Sequence, residues 1–197
     1  MNAKLRVPGG LRAFAAVEVP AGLLKALARL QAELGTRGVR ARWTRPQNLH
    51  LTLKFLGDIP TARVEDVMQA LQSAAALHAA FSLTAAGIGA FPDARRPRVI
   101  WAGLAGATDA LAQLQREIDD RLDAIGFPRE VRGFHGHLTL GRVQAGAGAG
   151  GVAAALSACS SACFGSFEVR EVVLFQSDLQ PRGAVYAAVG RAPLKAR

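Results

Sequence analysis

The sequence predicts an α+β fold: two pseudo-symmetric lobes of mainly antiparallel sheet, with outer helices and an active-site cleft between the lobes. Three observations lead there. Strand-like segments repeatedly follow one another with no helix between them, which alternating parallel crossovers do not produce. The chain looks faintly duplicated, each half holding a helix, strands and one strand that reads His-Leu-Thr-Leu. Apolar residues make up 50% of the 197, enough to bury a sizeable shared core. Residues 1–197 are therefore expected to form a single bilobal domain.

The elements follow in order. Leu11 to Val19 alternates weakly and ends at Pro20, reading as a strand. Leucines at 23, 24, 27, 30 and 34 give Ala21 to Leu34 one apolar helical face, stopped by Gly35 and Gly38. Val39 to Trp43 is a short strand. After Pro46, Asn48 to Gly57 alternates cleanly: Leu49, Leu51, Leu53 and Phe55 face one way, His50, Thr52 and Lys54 the other. Thr61 is the expected N-cap of a helix carrying Val64, Val67, Met68 and Leu71. Phe81 to Phe91 and Arg98 to Leu104 read as strands around a turn at Pro92–Asp93. Thr108 is the expected cap of a helix from Asp109 to Ile125, with Leu111, Leu114, Ile118, Leu122 and Ile125 inward. His135 to Val143 is a strand. Ala145 to Gly151 is glycine-rich; with no Lys-Ser/Thr after it, it reads as a connection before a short helix rather than a phosphate loop. Phe167 to Phe175 and Ala184 to Gly190 are two closing strands around a turn at Pro181 and Gly183.

Lysine plus arginine total 24 against 15 acids, a formal charge of +9 and a pI near 10.9. That balance suits an anionic partner. Two cysteines, Cys159 and Cys163, exclude a disulfide framework and a Cys-rich zinc module. Val67 to Pro92 and Val143 to Phe167 lack charge, but neither is apolar enough along its length to span a membrane. Met1 to Val7 has no apolar core of a signal peptide. A soluble, cytoplasmic monomer without membrane contact is the expectation.

His50-Leu51-Thr52-Leu53 recurs as His137-Leu138-Thr139-Leu140. Four histidines and seven threonines in 197 residues give roughly 0.14 His-x-Thr triplets by chance. Two of them, each on an alternating strand, are therefore a pair rather than an accident. Period two puts each histidine and threonine on one face and the leucines on the other. Two such strands side by side would bring two imidazoles and two hydroxyls into one cleft. Imidazoles that titrate near neutrality can divide an in-line phosphoryl displacement between a base and an acid. Threonine hydroxyls can hold the non-bridging oxygens. His135 and His137 have no third ligand beside them and no acidic cluster lies near, so neither a metal nor a cofactor is expected. His78 reads as a structural histidine and His135 as a rim residue.

Beyond the two motifs, Arg12 to Pro20 (RAFAAVEVP), Trp43 to Gly57 (WTRPQNLHLTLKFLG), Phe91 to Leu104 (FPDARRPRVIWAGL) and Phe134 to Arg142 (FHGHLTLGR) extend the likeness. With them the chain resembles the RNA 2′,3′-cyclic phosphodiesterases, also called 2′-5′ RNA ligases, of the two-histidine phosphoesterase superfamily. The resemblance covers nearly the whole chain. It implies metal-independent hydrolysis of a 2′,3′-cyclic phosphate at an RNA end to a 2′-phosphomonoester, and no cofactor. It assigns His50 as proton donor and His137 as proton acceptor, a choice that spacing does not make. It places Arg142, five residues after His137, on the phosphate beside Thr52 and Thr139. Gly136 stands where the family usually has proline.

Arg95, Arg96 and Arg98 form a basic run that reads as a solvated loop or an RNA track. Lys54 is a weaker phosphate candidate, and Trp43 and Phe55 can stack a base, although core packing suits Phe55 better. Two alternatives stay open: the same site acting on another small cyclic phosphate, such as a cyclic nucleotide or an ADP-ribose cyclic phosphate, or a non-catalytic RNA- or nucleotide-binding module. Joining RNA ends through a 2′-5′ bond is a possible side activity by microscopic reversibility.

Overall fold

The computed structural model describes residues 9–131, 133–144, 149–181 and 183–196. Ala145 to Gly148 of the glycine-rich segment and Met1 to Val7 lie outside them. Among the described residues nine strands join one sheet: Gly10–Glu18 (β1), Ala41–Trp43 (β2), His50–Pro60 (β3), Phe81–Phe91 (β4), Val99–Gly106 (β5), Leu138–Val143 (β6), Cys163–Val169 (β7), Glu171–Gln180 (β8) and Gly183–Pro193 (β9). The order is β7-β4-β5-β6-β3-β1-β8-β9, with β2 beside β6, and these pairings are antiparallel.

The two lobes meet at the motifs. β3 and β6 pair at a single position, Leu51 with Leu138, the residue after each motif histidine. Outward from that junction run β3-β1-β8-β9 on one side and β6-β5-β4-β7 on the other. The sheet is strongly curled. β7 and β8 lie toward opposite ends of the order, yet only Arg170 separates them in the chain.

Helices cover the outer faces. Val64–Ala75 (α2) packs on β8 and β9, and Thr108–Ala124 (α3) on β3 and α2; Ala21–Thr36 (α1) packs on β7 and Ala149–Ala158 (α4) on β4. Their predicted stripes face the core: Leu23, Leu27, Leu30 and Leu34 of α1 are buried, as are Leu111, Leu114, Ile118 and Leu122 of α3. Each such side chain contributes roughly 1.5–3 kcal/mol of apolar burial. Leu51, Leu53, Leu138 and Leu140 are buried on the opposite side of their strands from the cleft, so the core fixes both motif backbones.

Three expectations are corrected. Phe167 to Phe175 is two strands: the break at Arg170 leaves no polar gap, because both lobes bury their residues there (Phe167 and Val169, then Val172 to Phe175). Thr61 does not cap α2; a 3₁₀ turn over Thr61–Arg63 intervenes, and the Thr61 hydroxyl donates to the Gly9 carbonyl. Thr108 is the first residue of α3, with Ala107 at the cap position and no side-chain capping bond.

The largest difference is a pair of β-bulges. Against β1, Lys54 pairs with Ala15 and Thr52 with Ala16, leaving Leu53 as the extra residue. Against β5, Gly141 pairs with Ile100 and Thr139 with Trp101, leaving Leu140 extra. A bulge inserts one residue and reverses the alternation beyond it. Both fall on the fourth residue of a His-Leu-Thr-Leu motif.

Candidate active site

Each motif histidine is held by its own backbone. His50 Nδ1 lies 2.8 Å from the Asn48 carbonyl oxygen, and His137 Nδ1 lies 2.7 Å from that of His135. A carbonyl only accepts, so Nδ1 carries the hydrogen in both rings. Nε2 is then the atom that takes a proton in the neutral ring and gives one in the charged ring. Asn48 is itself anchored, its side-chain amide donating to the Ala184 carbonyl at 2.7 Å. The junction pair Leu51/Leu138, extended one residue each way in antiparallel register, sets His50 toward Thr139 and Thr52 toward His137.

Aromatic rings wall both imidazoles. His50 has Phe14 at 4.7 Å and the edge of Tyr186 at 5.2 Å between ring centroids. His137 has Phe91 at 5.0 Å and Trp101 at 6.2 Å. Trp101 lies over Gly89, where a Cβ would stand 2.2 Å from the ring. Burial, the main cause, lowers the pKa of both histidines. His50 is pushed from 6.5 down to about 4, with the charge of His137 adding to the effect and the Asn48 carbonyl opposing it. His137 is lowered by burial and by His135, against its own backbone bond.

His50, Thr52, Thr139 and Arg142 line one cleft of about 550 Å³. His137 is not part of that wall, though it is near enough for its charge to act on His50. Arg142 reaches the cleft because of the bulge at Leu140. Strict alternation would send a residue five after His137 to the core face. At Gly136, a Cβ would meet Leu111 Cδ2 at 2.8 Å and Leu104 Cδ1 at 3.3 Å, so two leucine side chains occupy the space that a proline ring would enter.

The bulge at Leu53 overturns two expectations. Lys54 turns into the core, 2% exposed, where its Nζ donates to the Asp119 carboxylate and, at 2.7 Å, to the Pro128 carbonyl. It is no phosphate ligand. Phe55 turns out to the cleft, 62% exposed. Trp43 lines the cleft but packs over Gly141, where a Cβ would lie 2.8 Å from its ring.

Arg95 and Arg96 donate backbone N–H groups to Asp93 Oδ1 at 2.7 and 2.9 Å and do not line the cleft. Arg98 is tied by backbone bonds to Phe91 and Val143. His135 is exposed at the rim, 4.9 Å from Trp101 between ring centroids. His78 stands at the end of α2, its carbonyl accepting from Lys195. Sequence reasoning missed Arg12, Arg42 and Tyr186, all of which line the cleft. Only strand register, which one sequence does not display, could have put them there.

No helix of the described residues is long and apolar enough to cross a membrane, and no three His, Cys, Asp or Glu side chains among them cluster as metal ligands. The bilobal sheet, with two backbone-anchored imidazoles at its junction and hydroxyls and a guanidinium beside them, defines a phosphoesterase architecture. The chain belongs to the LigT-like phosphoesterase family, whose model matches residues 17–101 and 104–186 and so spans both motifs. It is 32% identical to the RNA 2′,3′-cyclic phosphodiesterase of Methanothermobacter thermautotrophicus over 89% of this chain and 95% of that protein. It is 34% identical to the Archaeoglobus fulgidus protein of the same name, over 89% and 96%. A Thermus thermophilus crystal structure superposes with a TM-score of 0.77 at 28% identity, covering 94% of this chain and 99% of that one.

Proposed function

We propose that the chain hydrolyses a 2′,3′-cyclic phosphate at an RNA end, without a metal, to a 2′-phosphomonoester. The observation that carries this is the matched pair His50 and His137. Each has its Nδ1 on the carbonyl two residues back, and their strands join at the very next residue. The names of the curated relatives supply the substrate class.

In this mechanism His137 Nε2 takes a proton from a water whose oxygen attacks phosphorus. The P–O3′ bond breaks, and His50 Nε2 gives its proton to the departing 3′ oxygen. Thr52, Thr139 and Arg142 hold the non-bridging oxygens, where charge builds as phosphorus becomes five-coordinate. Burial keeps the free His50 largely neutral, so it takes up its proton as the anionic phosphate enters, which raises its pKa. Residues 1–197 act as one bilobal domain, as a cytoplasmic monomer. The exposed ring of Phe55 offers a surface for the terminal base.

The test is turnover of a cyclic-phosphate-ended oligonucleotide in excess EDTA, with identification of the product. Loss in His50→Ala and in His137→Ala, with phosphate left on the 2′ oxygen, is expected. Full activity in either variant would sink the assignment, and EDTA inhibition would sink metal independence. Tight binding without turnover would favour a binding module.

A further inference from the structure

Arg42 and Arg142 stand directly opposite each other in the β2–β6 ladder. Directly paired residues of an antiparallel ladder project to one face with Cβ atoms about 5 Å apart, and like charges there repel. Both line the cleft, and so does Arg12 from β1 in the other lobe. Burial raises the pKa of the Tyr186 hydroxyl, and the charges of Arg142 and Arg12, both near enough to act on it, oppose that rise. Arg42 Nη2 lies 3.7 Å from where a Cβ on Gly183 would stand, across the cleft on β9. Guanidiniums from both lobes thus converge.

Among the described residues none of these three arginines forms a close ion pair with a carboxylate, whereas Arg37, Arg63, Arg121, Arg129, Arg170 and Arg191 all do; Asp58 stands opposite Arg12 in the β1–β3 ladder, but no carboxylate stands opposite Arg42 or Arg142 in theirs. An uncompensated like-charge pair costs stability unless an anion is bound between its members. The reacting cyclic diester has a single negative charge, and Arg142 with the two threonines already serves it in the proposed mechanism. Arg12 and Arg42 are surplus to it.

We infer that Arg12 and Arg42 form a second phosphate subsite, taking the phosphate on the 5′ oxygen of the nucleotide that bears the cyclic phosphate. The inference rests on the proposed cyclic phosphodiesterase reading and sharpens its substrate class. The site selects a nucleotide with phosphates at both ends over a plain nucleoside cyclic phosphate.

The experiment compares kcat/KM on a nucleoside 2′,3′-cyclic phosphate, the same compound carrying a 5′-phosphate, and a dinucleotide ending in the cyclic phosphate. Wild type is expected to prefer a phosphorylated form by about tenfold or more, mostly through KM. The second and third substrates separate a terminal monoester from a bridging diester as the source of that phosphate; preference for either supports the subsite. Arg42→Gln and Arg12→Gln should bring the ratio toward one. Arg42→Gln should melt no lower than wild type, because it removes a like-charge repulsion. Equal turnover of all three substrates by wild type, or a ratio that survives in both variants, overturns the subsite. No turnover of any of them by wild type would instead overturn the cyclic phosphodiesterase reading.

Discussion

Following kcat/KM from about pH 3.5 to 8 on a cyclic-phosphate-ended oligonucleotide titrates the two histidines of the free protein. Burial among Phe14, Tyr186 and Phe175 sets His50 at about 4, and burial holds His137 below 6.5. The proposed reacting state has one proton on the pair, placed on His50. One proton is bound only between the pair's two apparent pKa values, a window that opens near 4 and closes below 6.5. We expect kcat/KM to peak inside that window and to fall about tenfold per pH unit above it. At pH 7 a group with a pKa of about 4 is protonated in about one molecule in a thousand, so the bound phosphate must supply about 4 kcal/mol to put the proton back. Part of that comes from the phosphate's charge beside the ring, so the profile of kcat should lie on the alkaline side of the profile of kcat/KM. A kcat/KM that stays flat or rises between about pH 6.5 and 8 would refute the two-histidine proton inventory.

The same burial makes folding stability pH-dependent. Because the folded pKa of His50 is depressed, the unfolded chain binds the proton more tightly; stability present above about 6.5 is lost as pH falls toward about 4, by up to about 3 kcal/mol, and His50→Gln should flatten that limb in denaturant titrations. Lys54→Met leaves Asp119 without its cation in the core and should cost about 3 kcal/mol in the same assay, with Lys54→Met/Asp119→Leu recovering much of the loss. Gly89→Ala drives a methyl into the Trp101 ring and should cost about 1–3 kcal/mol while shifting tryptophan fluorescence, since the ring must move from the wall of His137. Phe55→Ala should raise KM for an oligonucleotide about tenfold and leave the melting temperature nearly unchanged, because the ring is mostly exposed.

The helices were legible because a leucine stripe at 3.6-residue spacing has one physical meaning, and α1 and α3 bury the residues it names except Leu24 and Ile125, which pack partly buried against the core. The motif strands were legible up to their threonines. Beyond Thr52 the alternation suggested Lys54 in the cleft and Phe55 in the core, and the structure has them reversed. A bulge leaves no mark in polarity when the extra residue is another leucine, as Leu53 and Leu140 both are. Arg142 was placed at the phosphate by resemblance alone. Periodicity would have sent it to the other face, and the bulge at Leu140 is what turns it into the cleft. Arg42 was invisible for a different reason: its meaning lies in being opposite Arg142, and pairing across about a hundred residues is not written in either segment.

The two bulges also show how a duplicated sheet would support the unsymmetrical reaction proposed. Counting from each histidine, the residue that the bulge turns into the cleft is the fifth: Phe55 in one lobe, Arg142 in the other. Equivalent backbone positions thus present an apolar ring on one side and a cation on the other, matching a nucleotide's base and its phosphate. The same asymmetry reaches the imidazoles. Both use the same backbone bond, so the difference between them comes from their walls. Phe14, Phe175 and Tyr186 enclose His50 and lower its pKa to about 4, whereas His137 stands beside the exposed rim residue His135. The more deeply desolvated ring holds a proton only when an anion is beside it. Assigning the acid's role to that ring, as proposed, would link protonation to occupancy: His50 would become charged when a phosphate is present to receive the proton's help, and burial would keep it neutral in an empty cleft.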